Sequence, residues 1–197
     1  MVNEFDREDY VVFLLSEWGD PHHPSPYYAD RMKFITKLIR GKTVLDAGCG
    51  IGHFMVEVEK QYGNTKTYVG LDISTAMLNK AREYLPKGNF IRGDITTFNI
   101  MADTIVCVDV LIHQEDLTPF INNMWKNAKK EIIFSMNVYD DFLGRRAHDG
   151  PIYFSEGLIM HRTKKVRSIL EDLKQLGGIE EHIYDELTSV FRVTKNE

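Results

Sequence analysis

The sequence predicts a doubly wound α/β domain, an open and mostly parallel sheet with helices on both faces. Two observations carry that reading. Short stretches that are apolar on both faces alternate with amphipathic helical stretches, the pattern of a sheet buried between helices. The first of these strands runs directly into a glycine cluster, Gly48-Cys49-Gly50-Ile51-Gly52. The chain has 197 residues, which fits one domain. A domain of that size buries about 70% of its unfolded surface and needs no staples.

The elements follow in order. Asp6 to Trp18 reads as a helix with Tyr10, Phe13, Leu14 and Leu15 inward, stopped by Gly19-Asp20-Pro21 and an irregular link. Tyr28, Met32, Ile35 and Ile39 recur at helical spacing, so a second helix is expected over Tyr27 to Ile39. Strands are expected at Thr43 to Leu45, Thr67 to Leu71, Phe90 to Arg92, Thr104 to Val108 and Glu131 to Phe134. Between them, Phe54 to Tyr62 fits a helix loosely. Ser74 is placed to cap a helix that turns Met77, Leu78 and Ala81 inward. Leu117, Phe120, Ile121, Met124 and Ala128 make another, and Val166, Ile169, Leu170 and Leu173 a last one that ends at Gly177-Gly178. Glu181 to Lys195 reads as two strands without a helix between them, a terminal hairpin.

Composition narrows the function. Hydrophobic residues at 43% and charged residues at 27% are ordinary for a globular chain and exclude disordered, collagen-like and coiled-coil classes. The longest apolar run is Val11 to Leu15, far short of the roughly 20 residues of a membrane helix. No secretory signal pattern opens the chain. Cys49 and Cys107 have no metal-ligand spacing and make no disulfide framework, so a reducing, cytoplasmic setting is expected. A net charge of −5 argues against broad nucleic-acid binding. His22-His23 is the one adjacent histidine pair, and no metal site is expected from it.

In open sheets of this kind ligands bind beyond the carboxyl ends of the strands. Glycines at 48, 50 and 52 permit a sharp turn and close approach of a ligand to main-chain N–H groups at a helix start. His53 stands where a dinucleotide fingerprint needs glycine or alanine, and the lysine of a P-loop is missing. Asp72 ends the second strand, where a carboxylate accepts from ribose hydroxyls. Asp94 follows the third, where an acid meets an exocyclic adenine amine. Each of these has a plainer alternative: a ligand-free glycine turn, and solvated turn aspartates.

In four stretches the chain resembles the class I S-adenosylmethionine-dependent methyltransferases: VLDAGCGIGHF (44–54), VGLDISTAML (69–78), FIRGDIT (90–96) and DTIVCVDVLIHQED (103–116). The resemblance covers Gly41 to Asn137 well and the rest in outline. It implies a seven-stranded sheet in the order 3-2-1-4-5-7-6 with strand seven antiparallel. It also implies S-adenosyl-L-methionine as cofactor and S-adenosyl-L-homocysteine as product. By position, Asp46, Ala47, Gly48, Cys49, Gly50 and Gly52 would hold the methionine part, with Arg31 on its carboxylate unless Arg31 is a solvated surface residue. Asp72 would take the ribose, Ile73 and Met77 would pack on the adenosine, and Asp94 and Ile95 would meet the adenine edge. Asp109, Val110 and Leu111 would line the cavity near the sulfonium.

Methyl transfer has no universal catalytic residue to carry over. His113 is the candidate general base, with a backbone-bonded histidine as its plainer alternative, and Asp109 the candidate for orienting the acceptor. No Asn/Asp-Pro-Pro-Tyr/Phe sequence follows strand four, which disfavours methylation of an adenine or glutamine amide nitrogen, and no Pro-Cys stands where a cytosine methylase has one. Specificity is expected from a helical extension over 1–40, with Trp18, Tyr27 and Tyr28, and from a lid-like insertion around 137–161. That insertion carries Arg145, Arg146 and His148, suited to an anionic or zwitterionic substrate, with a solvated loop as its plainer alternative. The expectation is a single-domain enzyme, monomer or homodimer, acting on a small molecule. The alternatives are a protein or RNA methyltransferase, an inactive cofactor-binding partner, and more distantly a nicotinamide oxidoreductase.

Overall fold

The computed structural model describes residues 6–139, 151–153 and 158–196. Seven strands form the main path of a nine-stranded sheet. Five of them are parallel: β3 (Thr43–Ala47), β4 (Thr67–Asp72), β5 (Phe90–Arg92), β6 (Ala102–Cys107) and β7 (Ala128–Tyr139). After them come β10 (Leu176–Ile183) and β11 (Thr188–Lys195), a hairpin whose second strand pairs antiparallel with β7. The spatial order is β10-β11-β7-β6-β3-β4-β5. Counted from β3 as the first strand, this is the expected 3-2-1-4-5-7-6 with strand seven antiparallel. The order reverses between β3 and β6, so the crevice beyond their carboxyl ends is where a ligand site forms.

Alternation along each strand fills two cores. Leu45, Ala47, Ile105, Cys107, Ile132 and Phe134 face one layer, packed on α5 (Thr118–Asn127) and α6 (Thr163–Glu171). Val44, Val106, Val108 and Ile133 face the other, under α2 (Pro26–Thr36), α3 (His53–Tyr62) and α4 (Thr75–Tyr84). Ser74 caps α4 as expected, its Oγ accepting from Met77 N at 3.1 Å. A third, small cluster joins Val11 of α1 (Glu8–Trp18) to Ile51 and Met77.

Several boundaries differ from the sequence reading. Phe13 is 52% exposed, because α1 turns Val11, Leu14 and Leu15 inward instead. The link after α1 is a minimal hairpin, β1 (Gly19–Asp20) with β2 (His23–Pro24). Helix α2 stops at Thr36, and Leu38 and Ile39 close it with tighter bonds to Ile35 O and Thr36 O, so Ile39 still reaches the core. Strand β7 is far longer than four residues. Ser135 and Asn137 interrupt its apolar run yet stay in the ladder, since Val190 and Thr188 of β11 pair opposite them. Gly177-Gly178 lies inside β10, at an irregularity where the register shifts between Leu176 and Gly178, and is not a helix stop. The insertion after β7 contributes β8 (Ile152–Tyr153) and β9 (Ile159–Arg162); β9 runs parallel to the end of β7. No helix among the described residues is long and apolar enough to cross a membrane.

Candidate active site

The glycine turn after β3 is held by its neighbour strand. Gly48 N and Cys49 N both donate to Leu71 O, at 2.7 and 3.0 Å. Gly48, Gly50 and Gly52 all have positive φ (89°, 53° and 93°), a region that penalises any side chain. At Gly48 a Cβ would lie 2.2 Å from Val110 Cγ2, so Val110 and the turn are in direct contact. At Gly50 it would meet nothing within 4 Å, so this turn presents bare backbone to open space.

Asp72 ties the next strand end to that turn. Its Oδ2 accepts from Gly50 N and its Oδ1 from Ser74 N, both at 2.8 Å. Burial raises its pKa, against those two backbone bonds. Asp46, at 2% exposure, is bonded by the Tyr68 hydroxyl, and burial pushes it up to about 7. Ile73 is 42% exposed beside this crevice, while Met77 is buried against α1. The extension reaches the same place: Asp6 Oδ1 accepts from Ala76 N at 3.0 Å and from Ser74 Oγ at 3.3 Å. Asp94 Oδ1 is engaged by Thr96 N and Thr96 Oγ1, both at 2.7 Å, and the Ile95 side chain belongs to the core. Ala47 and Cys49 are buried, and burial raises the Cys49 thiol's pKa. Leu111 is likewise core.

The other half of the crevice is a side-chain network. Arg31, from α2, is only 5% exposed, which removes the solvated-surface alternative. Its Nη2 lies 2.8 Å from Asp109 Oδ2, and its guanidinium sits 5.0–5.7 Å from the ring centroids of Trp18, Tyr27 and Tyr28. Its buried Nε has no hydrogen-bond partner. Asp109 has φ 58°, unusual for a non-glycine residue. Ser135 stabilises that turn reciprocally: its Oγ accepts from Asp109 N and donates to Asp109 Oδ1, both at 2.9 Å. Burial raises the Asp109 pKa, with Arg31 and Ser135 pulling against it. Tyr28 is raised by burial and by Asp109. Its ring meets His53 edge-on at 4.9 Å, and His53 Nε2 reaches Gly19 O at 3.0 Å. Tyr27 donates to Asp185, in the turn between β10 and β11, and Asp185 also accepts from Thr188 N at 2.7 Å. His113 closes a single 3-10 turn, Leu111–His113, and lies close enough to Asp109 to lower its pKa.

The predicted residues therefore gather at one place, from 46 to 52, 72 to 77, 109 to 113 and 27 to 31. Arg145, Arg146 and His148 lie outside the described residues. His22 and His23 are exposed, and His23 Nδ1 pairs with Asp20 at 3.2 Å. Among the described residues no three His, Cys, Asp or Glu side chains cluster as metal ligands. Sequence reasoning missed Ser135, His161 and Asp185. Ser135 gave one signal, a hydroxyl inside an apolar strand; Asp185 gave only its place in a turn.

Residues 38–189 match the family model described as a methyltransferase domain. The chain belongs to the methyltransferase domain family. The resemblance to class I S-adenosylmethionine-dependent enzymes, drawn from residues 44–116, holds, and S-adenosylmethionine is that family's cofactor. One curated relative is the magnesium-protoporphyrin O-methyltransferase of Synechocystis, 34% identical over 104 residues, which are 48% of this chain and 44% of that one. The chain thus spans under half the length of that relative. The carboxy-S-adenosyl-L-methionine synthase of Sulfurimonas denitrificans is 27% identical over 189 residues, 91% of this chain and 73% of the other. A solved magnesium protoporphyrin IX methyltransferase from Synechocystis with bound SAH superposes with a TM-score of 0.66 at 17% identity. It covers 96% of this methyltransferase domain and 100% of its own chain, a likeness of fold.

Proposed function

We propose that this chain is an S-adenosylmethionine-dependent methyltransferase acting on a small-molecule acceptor. The observation that carries the reading is the buried Arg31, paired on one side with Asp109 and left with an unpartnered Nε on the other. A buried guanidinium donor without an acceptor is costly unless a ligand supplies one, and a carboxylate is its natural partner. The residues fit the cofactor in a second way, through the open backbone at Gly50.

When bound, S-adenosylmethionine supplies a methyl group on a positively charged sulfur. Arg31 would hold the amino-acid carboxylate, beside Asp46, Ala47, Cys49 and the Gly48–Gly52 backbone. Asp72 would hold the ribose, with Ile73 and Met77 on the adenosine, and Asp94 with the Ile95 backbone at the adenine edge. Val110, packed on Gly48, fixes the distance between the glycine turn and the acceptor side. Asp109 accepts from Ser135 through Oδ1 and stands 2.8 Å from Arg31 Nη2 through Oδ2, which places it to orient the acceptor. The His113 imidazole would take the acceptor's proton. Trp18, Tyr27 and Tyr28 wall the acceptor side and exclude water, which strengthens the preorganised charges. The acidic balance favours a small acceptor over a nucleic acid, and two buried thiols fit a cytoplasmic setting. One chain supplies all the named groups, consistent with a monomer or homodimer.

The test is thermal unfolding with S-adenosylhomocysteine, S-adenosylmethionine and NAD in parallel. Ligand at 100 times its dissociation constant adds about 2.7 kcal/mol, roughly 5–10 °C for a domain of this size. The expected result is a shift with the first two and none with NAD. No shift with either methionine-derived ligand at millimolar concentration overturns the proposal.

A further inference from the structure

The loop after β6, residues 109–114, carries both groups assigned to the acceptor side, Asp109 and His113. Its first end is pinned to β7 by the Ser135 hydroxyl. Its last end is pinned by a residue of the insertion. His161, on β9, is fully buried, and its Nε2 lies 2.8 Å from Gln114 O. A carbonyl only accepts, so Nε2 carries the ring proton and Nδ1 is a bare lone pair. That Nδ1 is buried with no hydrogen-bond partner. Leaving a buried polar atom unsatisfied is destabilising, which a leucine at this core position would avoid. The cost is understandable if the other nitrogen does something a leucine does not. The register supports this: β9 pairs with the end of β7 at Val138 opposite His161, two strands side by side whose side chains grip the two ends of one loop.

We propose that His161 is a positioning residue that, together with Ser135, holds the loop 109–114 in its strained turn, so that the pairing of β9 with β7 sets the placement of Asp109 and His113. The inference rests on the reading of that loop as the acceptor side. Left-handed backbone such as that of Asp109 persists only where its surroundings over-determine it, and two anchors on adjacent strands do so.

The test compares His161→Leu, which removes the donor, with His161→Gln, whose amide N–H2 replaces the Nε2 donor. Hydrogen exchange over residues 109–114 is expected to rise about tenfold in H161L, as loss of one buried hydrogen bond implies, and to return near wild type in H161Q. Exchange in β3 and β4 stays unchanged. Methyl incorporation from labelled S-adenosylmethionine into a metabolite extract falls in H161L and recovers in H161Q. If H161L does not fold, His161→Asn, too short to reach Gln114, carries the same expectation. Unchanged loop exchange in H161L, or H161Q behaving like H161L, overturns the inference. Failure of the wild-type chain to bind S-adenosylhomocysteine would overturn the functional reading instead and leave the exchange result standing.

Discussion

Two arginine–carboxylate pairs sit at opposite ends of the sheet and are finished differently. At the amino ends of the strands, Glu131 is 1% exposed and its Oε2 lies 2.7 Å from Arg192 Nε. Its Oε1 accepts from Arg40 N and Thr104 Oγ1, both at 2.7 Å, and from Gly41 N at 3.3 Å, while Arg192 Nη1 also reaches Glu180 at 2.7 Å. At the carboxyl ends, Arg31 holds Asp109 with one nitrogen and leaves Nε without a partner. Burying a charge is costly unless its hydrogen-bonding capacity is met. One pair meets it within the fold; the other keeps a donor in reserve. The same chemistry thus serves stability at one end and, on the proposed reading, a ligand at the other.

The largest expected effect tests the closed end. Glu131→Ala removes the buried acceptor of Arg192 Nε, Arg40 N and Thr104 Oγ1, so denaturant unfolding is expected to show a loss of about 3–5 kcal/mol. Asp109 and the glycine turn should remain competent in the surviving folded fraction. Next, the glycine turn separates stability from binding. Gly48→Ala, with its Cβ driven into Val110 and φ held positive, is expected to cost about 2 kcal/mol and to abolish the thermal shift with S-adenosylhomocysteine. Gly50→Ala has open space and is expected to cost about 1 kcal/mol, yet to weaken the ligand at least about tenfold in calorimetry, because the new methyl fills the cradle.

The third prediction uses pH. Asp46, raised to about 7, keeps in the fold a proton that the unfolded chain has released, so its contribution makes stability fall as pH rises from about 4 to about 7. His53, lowered by burial to about 4, stays neutral in the fold while the unfolded chain takes a proton, so its contribution makes stability rise from about pH 4 to about pH 6.5. The two oppose each other in one window. Relative to wild type, Asp46→Asn should tilt the stability profile upward there and His53→Gln downward, each by roughly 1.4 kcal/mol per pH unit at most. Parallel profiles for all three proteins would break the comparison. The smallest effect belongs to Tyr27→Phe. It loses one partly exposed bond to Asp185, worth about 0.5–1.5 kcal/mol, and should leave S-adenosylhomocysteine affinity untouched.

The two halves of the crevice were not equally legible in the sequence. The half around the glycine turn is built from backbone: glycines needed for positive φ, an acid at a strand end, a serine cap. Those requirements are local and leave marks at fixed spacing, as at Gly48, Asp72 and Ser74. The half around Arg31 and Asp109 is built from side chains that meet only after folding. Asp109 was legible as a strand-end acid, but its partners Arg31 and Ser135, and the Tyr27–Asp185 bond beside Arg31, come from stretches far apart in the chain. The same reason explains the boundaries. The β7 strand was read short because Ser135 and Asn137 look like an interruption until β11 is laid beside them. Gly177-Gly178 looked like a stop because a glycine pair inside an edge strand has the same local signature as a turn.

Strand β11 has one more consequence. It lies inside the sheet, between β7 and β10, although it follows both in the sequence. As the chain is made, the long β7 presents an open edge and β10 has no neighbour until residues 188–195 arrive. Much of the sheet can assemble earlier, but its closure waits on a long-range pairing of β11 with β7, a slow and aggregation-exposed step. Newly synthesised molecules therefore spend their vulnerable interval with one sticky flank, and yield in the cell should depend on how quickly that last strand is threaded home.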